Sequence, residues 1–290
     1  MEFLKKHKRL ILLFSSFALL LVLTGCGVDY AKDEAGKIVV DEITGARVIE
    51  NMIDTSTSLK DAWALIVKGD LFDGLLVVPL SVLITTLGEV LGYGLAIIIS
   101  TILMRTAVYP ITKKSTVNSQ RMAEMQPKME KINKKYRGKE KDREAQTRKQ
   151  QEVMALYQKE GINPLKGCIS PFITLPLFIA FFSAIYRTKG IYTDRFLGIN
   201  LANTPKISFE HGEYLVVLLI LFVVVSNYFS MKVTTAGQNN PQTKNLPIMM
   251  TVMIAVFSIS IPAGVALYWG TGSIVMIVQT LITKRKRIDK

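Results

Sequence analysis

The sequence predicts an all-α integral membrane protein: five transmembrane helices, a cytoplasmic helical hairpin and an interfacial amphipathic helix. Three observations lead there. Apolar residues make up 49% of the 290-residue chain and come in blocks instead of being scattered. The blocks approach the roughly 20 residues that an α-helix needs to cross a hydrocarbon core of about 30 Å. The charges, with a net excess of +13, lie between the blocks. A soluble basic protein shares these totals but not the segregation, so the excess of Lys and Arg reads first as a topology signal.

Residues 1–25 read as a signal peptide that is removed. Lys5, Lys6, Lys8 and Arg9 precede a short apolar run ending in Leu23, Thr24 and Gly25. A basic head, a greasy middle and small residues at the end are the pattern of secretion. Cys26 follows directly and resembles the acylated cysteine of bacterial lipoproteins. Lipid (palmitate-type) chains on its sulfur hold the mature N-terminus at the outer surface. Residues 26–70 carry more acids than bases and read as an external segment. Residues 71–89 are apolar but interrupted by Asp73, Gly74, Pro79, Gly88 and Glu89, which predicts an amphipathic helix lying in the interface.

The first span is expected over 90–110. Residues 111–167 follow, with fifteen Lys or Arg against seven Asp or Glu between 112 and 166. The second span is 168–186, an external loop of mixed charge 187–212, and the third span 213–231. A basic loop, 232–245, leads to the fourth span, 246–261. Pro262, Ala263 and Gly264 form an external turn, 262–264. The fifth span is 265–283, and the tail 284–290, "KRKRIDK", is basic. Five spans from an external start put the tail in the cytoplasm. The basic segments then all face inward, as the positive-inside rule requires.

Within 111–167, Met122, Met125, Met129, Ile132 and Tyr136 recur every three or four residues, one stripe of a helix. Gly138 interrupts the pattern. Val153, Leu156 and Tyr157 mark a second helix, which Gly161 to Pro164 stops. Two amphipathic helices and a short connection predict an antiparallel pair. The methionines suit a surface that re-packs against varied apolar partners, and they suit a helix–helix seam equally well.

Arg105 stands inside the first span. A cation at the centre of a span costs roughly 2.5–3.5 kcal/mol on insertion scales. It lies about five residues, roughly 7 Å, from the span's cytoplasmic end, within reach of a snorkelling side chain. Thr101, Arg105 and Tyr109 share one face at i, i+4 and i+8. Other spans also carry polar groups in their inner halves: Thr174, then Ser226, Asn227 and Ser230, then Thr251, then Gln279 and Thr280. Serines and threonines alone are ordinary glue between helices. An arginine with no acid at its depth is not, and it predicts a hydrated cavity or groove open to the cytoplasm. Arg105, Thr101, Tyr109, Asn227 and Gln279 are its candidate lining.

Cys26 and Cys168 are far apart in sequence and make no disulfide framework. No cluster has metal-ligand spacing and no phosphate-binding loop is present, so no metal, no cofactor and no ATP-driven step is expected. His7 lies in the signal peptide and His211 in the external loop, and no catalytic set occurs in the spans, so an enzyme is not expected. Positive-inside charge and anionic lipid account for the basic segments, and no specific DNA binding is expected.

From about residue 72 to 283 the chain resembles the YidC/Oxa/Alb membrane-protein insertases. The matching words are "RTAVYPITKKS", "MAEMQPKMEKINKKY", "QEVMALYQKEGINPLKGC" and "PAGVALYWGTGSIVMIVQ", in that order. The lipoprotein start and short external segment resemble the Gram-positive form. The resemblance implies insertion of membrane proteins without nucleotide hydrolysis, alone or beside the Sec translocon, with ribosomes, nascent membrane proteins and the lipid bilayer as partners. It implies that Arg105 is the family's first-span arginine and that Trp269 faces the same cavity. Met122, Met125 and Met129 would then meet client chains. The family often has Gln before the Met/Leu-Pro of the second span, where this chain has Thr174 before Leu175-Pro176. A small solute or anion transporter is the rival reading, and a purely structural assembly factor a third.

Overall fold

The computed structural model describes Ile53, residues 59–60, 71–139, 142–162, 169–235 and 246–288. The expected signal peptide, Cys26 and nearly all of the expected external segment 26–70 lie outside these residues. The described chain is almost wholly helical. A π-helical turn, Asp73–Val77, leads into α1 (Val78–Leu91). Then come α2 (Tyr93–Glu124), α3 (Gln126–Lys135), α4 (Arg143–Lys159), α5 (Ile169–Arg187) and a turn of helix, α6 (Gly190–Thr193). A two-stranded hairpin, β1 (Arg195–Phe196) with β2 (Ile199–Asn200), precedes α7 (Pro205–Glu210). The chain ends in α8 (Val216–Thr234), α9 (Leu246–Ser258) and α10 (Ala263–Ile288).

Each of the five expected spans falls on a helix: α2, α5, α8, α9 and α10. Among the described residues, four helical stretches are long and apolar enough to cross a membrane. Three are Tyr93–Glu124, Val216–Thr234 and Ala263–Lys284. The fourth is Asp73–Leu91, 19 residues long, with a mean hydropathy of 2.0 over an 18-residue window. The stretch expected at the interface thus has the length and composition of a span as well. Its buried residues Val77, Leu80, Ser81, Ile84, Thr85 and Gly88 fall at helical spacing on one face, while Leu75, Val90 and Leu91 are exposed.

The chain divides into two compact units. The first comprises residues 1–100, 172–217 and 260–268. Here Gly92, at φ +82, ends α1 in the left-handed region that favours glycine. Tyr93 then starts α2, and its free N–H donates to Asp194 Oδ2 at 2.6 Å, so a distant carboxylate caps this helix. The external loop of the sequence reading is ordered. Leu197 (φ 52) and Gly198 (φ 79) make the two-residue turn of the β-hairpin, both with the positive φ that a type I′ turn demands. Glu213 is buried. It accepts from Ser208 Oγ (2.8 Å) and Asn200 N (3.2 Å) and pairs with Arg195 at 3.3 Å. Arg187 pairs with Asp73. At the start of α10, Ala263 N donates to Asn203 O (2.9 Å) and Gly264 N to Leu201 O (2.8 Å), which satisfies amides the helix leaves open. A Cβ on Gly264 would stand 3.2 Å from both Leu201 O and Ile185 Cγ2, a tight fit that would make a neighbour give by a few tenths of an ångström.

The second unit comprises residues 101–171, 218–259 and 269–290. The first span and the first hairpin helix are one uninterrupted helix of 32 residues, with Pro110 inside it. Proline removes a backbone donor, and nearby threonine hydroxyls bond to the ladder: Thr112 Oγ1 donates to Tyr109 O at 3.2 Å. The expected boundary at 110/111 is therefore not a helix end. The break comes at Met125, between α2 and α3, inside the stripe read as one helix. Met125 and Tyr136 are buried there, while Met122, Met129 and Ile132 are half-buried.

The hairpin of α3 and α4 is antiparallel, as expected. Asp142 caps α4 by accepting from Glu144 N and Ala145 N. Gly138, at φ +83, turns the chain. Across the pair, Lys135 Nζ donates to Glu152 Oε1 at 2.5 Å and Tyr136 Oη to the same oxygen at 2.9 Å, while Lys128 pairs with Glu160. The Lys135 and Tyr136 hydrogen bonds hold the Glu152 carboxyl below its ordinary range, and Glu152 in turn raises Lys135.

A pH dependence follows. The lowered Glu152 contributes above its unfolded pKa, about 4.3, and the contribution is lost as pH falls through its folded value. The raised Lys135 contributes below its unfolded pKa, about 10.4, and is lost as pH rises through its folded value. The groups are exposed, so the effect is modest. Amide hydrogen exchange over 126–159, corrected for intrinsic rates, is expected to be slowest between those limits. Glu152→Gln should remove this pair's share of the acid-side change.

Candidate functional site

In the second unit the polarity of a soluble protein is inverted. On α8, Leu218, Leu221, Phe222, Val225 and Phe229 are exposed, while Ser226, Asn227 and Ser230 are buried. On α9, Ile248, Met249, Val252, Met253 and Val256 are exposed, and Thr251 and Ser258 are buried. Water would leave large apolar stripes uncovered at a cost of about 25 cal/mol per Å². Lipid covers them at none, and polar side chains are then driven inward to find one another. Ser226 Oγ donates to Val223 O at 3.1 Å, and Thr251 Oγ1 reaches Asn227 Oδ1 at 3.4 Å.

The polar face of α2 meets α10. Gln279 Nε2 donates to the backbone oxygen of Arg105 at 3.1 Å. Tyr109 Oη and Thr283 Oγ1 are 2.8 Å apart. Thr283 already gives its only hydroxyl proton to Gln279 O, at 2.7 Å, so Tyr109 is the donor between them. The pairings Arg105 with Gln279 and Tyr109 with Thr283 advance together along both chains. The two helices therefore run parallel.

Those contacts also fix where Arg105 points. Its backbone is level with the amide of Gln279, but its guanidinium lies against Gly272. A Cβ built on Gly272 would stand 2.9 Å from one terminal nitrogen, 3.3 Å from Nε and 3.4 Å from Cζ. Gly272 precedes Gln279 by seven residues, about 10 Å along a helix. The side chain thus runs toward the N-terminal ends of both helices. Helical side chains lean that way by geometry. Snorkelling to the near, C-terminal end of the expected span requires the opposite direction, so the snorkelling explanation of Arg105 fails. Among the described residues the half-buried Arg105 makes no ion pair.

Of the other expected lining residues, Thr101 is fully buried one turn before Arg105, and Asn227 is buried on α8. Tyr109 and Gln279 are half-buried and joined to the Arg105 seam. Trp269 is half-buried, with its ring 6.0 Å from Phe257 at 68°. It stands one turn before Gly272 on the same helix face. Met122, Met125 and Met129 belong to the hairpin, with Met125 turned inward. Sequence reasoning missed Gly272 and Thr283. The available signal for Gly272 was a glycine in mid-span, a position that costs about 1 kcal/mol relative to alanine and so needs a packing reason.

Fold and site together define a multi-pass α-helical membrane protein whose spans hold a polar seam and a cation inside the membrane-crossing region. The 60Kd inner membrane protein family profile matches residues 84–290. The membrane protein insertase YidC of Oceanobacillus iheyensis is 39% identical over 226 residues, covering 76% of this chain and 86% of that protein. The membrane protein insertase MisCA of Bacillus subtilis is 39% identical over 223 residues, covering 76% and 81%. A crystal structure of an active YidC insertase with its first transmembrane domain resolved superposes with a TM-score of 0.55 at 22% identity. That match covers 76% of this chain and half of the solved one, so it bears on the fold. The chain belongs to the YidC family.

The seam's hydrogen bonds have a measurable size. Tyr109→Phe removes the bond to Thr283, while Thr283 keeps its bond to Gln279. The loss should fall near the low end of the usual 0.5–1.5 kcal/mol for a hydrogen bond. Thermal unfolding in detergent is expected to show a small drop in Tm for Tyr109→Phe.

Proposed function

We propose that this protein inserts nascent membrane proteins into the bilayer and helps them fold, through a hydrophilic groove open to the cytoplasm and to lipid. Family membership supports the activity. The observation that carries the route is the direction of Arg105. Its cation is held away from the helix end, against Gly272 of α10 and one turn along that helix from the half-buried Trp269. A cation without an acid at its level needs water or an anion. An acidic residue in the external segment of a client meets that need in passing.

In this reading the client first meets the hairpin, where Met122, Met125 and Met129 offer pliable apolar contact. Its polar segment enters the groove, so that polar backbone crosses less hydrocarbon. Its apolar segment passes into lipid along the exposed faces of α8 and α10. Burial of that segment and the membrane potential drive the step, with no nucleotide hydrolysed. Cys26 carries the lipid anchor, the N-terminus is outside and the basic tail is in the cytoplasm. The parallel run of α2 and α10 and the basic hairpin support this orientation. The helix Asp73–Leu91 lies at the outer interface. The ribosome, at the hairpin and tail, and the Sec translocon are the partners of the co-translational route.

Purified protein in vesicles with one client and no other protein tests the activity. Insertion is expected, whereas no insertion would leave an assembly factor, and solute flux without insertion a transporter. Arg105→Ala should lower insertion of a client with an acidic external segment by on the order of tenfold, the effect of about 1.4 kcal/mol. Arg105→Lys should keep much of the activity. Equal insertion of acidic and neutral clients by the Arg105→Ala and unaltered proteins removes the arginine from the mechanism.

A further inference from the structure

Gly272 does something for Arg105 that no other residue type can do. The guanidinium lies against the α-carbon of Gly272, and every side chain at 272 would begin with a carbon 2.9 Å from a guanidinium nitrogen. Real Cβ atoms do not come that close, so one group must move. Gly272 is buried in the middle of a helix, where its backbone is held by the ladder. Arg105 is the far end of a long, flexible side chain. The guanidinium is what would shift.

We propose that Gly272 is a positioning residue for Arg105: the missing side chain leaves a shelf on α10 that sets where the cation sits, and with it how strongly the site discriminates between acidic and neutral client segments. The proposal rests on the reading of Arg105 as a client-attracting cation. Two features of the seam fit it. Gln279, two turns further along α10, fixes the backbone of Arg105 through its carbonyl. With the backbone held there, the shelf settles the other end of the side chain. Gly270 has a different neighbour: a Cβ there would meet the ring of Phe222, an exposed side chain on α8. Two glycines two residues apart thus have different nearest neighbours, Phe222 for Gly270 and Arg105 for Gly272. An added methyl at 272 presses on a movable side-chain tip, so the fold should tolerate it.

The test uses the full chain in lipid nanodiscs and vesicles, with Gly272→Ala and, as a packing control, Gly270→Ala. The Nε–H resonance of Arg105 in arginine-labelled protein, assigned by its disappearance in Arg105→Lys, reports the guanidinium's surroundings directly. It is expected to move in Gly272→Ala and to stay in Gly270→Ala. The preference for an acidic over a neutral client should fall in Gly272→Ala to a value between those of the unaltered protein and Arg105→Ala. In an Arg105→Lys background, Gly272→Ala should cause no further loss, because a slim lysine stem needs no shelf.

An unmoved resonance overturns the proposal. So does a moved resonance with an intact client preference, in a protein where Arg105→Ala abolishes that preference. Equal loss for both clients in Gly270→Ala and Gly272→Ala would mark a packing defect and also overturn it. If Arg105→Ala leaves the preference untouched, the client-attracting reading of Arg105 has failed. The resonance alone then decides whether Gly272 positions the guanidinium.

Discussion

Hydrocarbon offers no hydrogen-bond partner, and most of this structure follows from that. Every polar atom in a span must be answered by another atom of the protein or by water held against it. The backbone is answered by making the spans helices. The side chains are answered by turning Ser226, Asn227, Ser230 and Thr251 inward while leucine, valine and phenylalanine face outward. The inversion is legible residue by residue along α8, where the exposed and buried sets interleave at helical spacing.

Arg105 is the hardest case for that constraint, because a guanidinium has five donors and never gives up its charge. The surroundings treat its two ends differently. The backbone end is held by Gln279, and the adjoining turn by Tyr109 and Thr283. The charged end rests on a bare α-carbon, which supplies space but no acceptor. A buried acid there would have formed an ion pair and neutralised the charge, at the cost of a fixed partner. A shelf keeps the cation in place with its donors uncommitted to a carboxylate. On the proposed reading that is what a site for passing clients needs.

The sequence made the apolar helices, their order and Arg105 visible because they rest on local signals: block length, charge between blocks and the i, i+4 face. Its limits have physical causes too. The continuity of α2 through Pro110 was hidden because proline usually marks an end, and here threonine hydroxyls bond nearby carbonyls of the ladder. The break at Met125 was hidden because a periodic stripe does not reveal where the hydrogen-bond ladder lapses. The order within 188–215 depends on non-local bonds, such as Asp194 to Tyr93 and Glu213 to Asn200. The direction of Arg105 was out of reach for the same reason, since it depends on which residues of α10 stand opposite.

The two units use their polar groups differently. In the first, polar groups are spent on backbone: Asp194 on the amide of Tyr93, Leu201 and Asn203 on the start of α10, Glu213 on Asn200. Such bonds are specific in geometry, and the backbone packs tightly around Gly264. In the second, side chains bond largely to side chains or to already bonded carbonyls: Tyr109 to Thr283, Thr251 to Asn227, Gln279 to Arg105. Each of those partners has spare capacity, and a water or a passing peptide group can stand in for it at small net cost. A seam of replaceable partners beside an uncommitted cation suits transient polar contact. A cap built on backbone amides suits permanence.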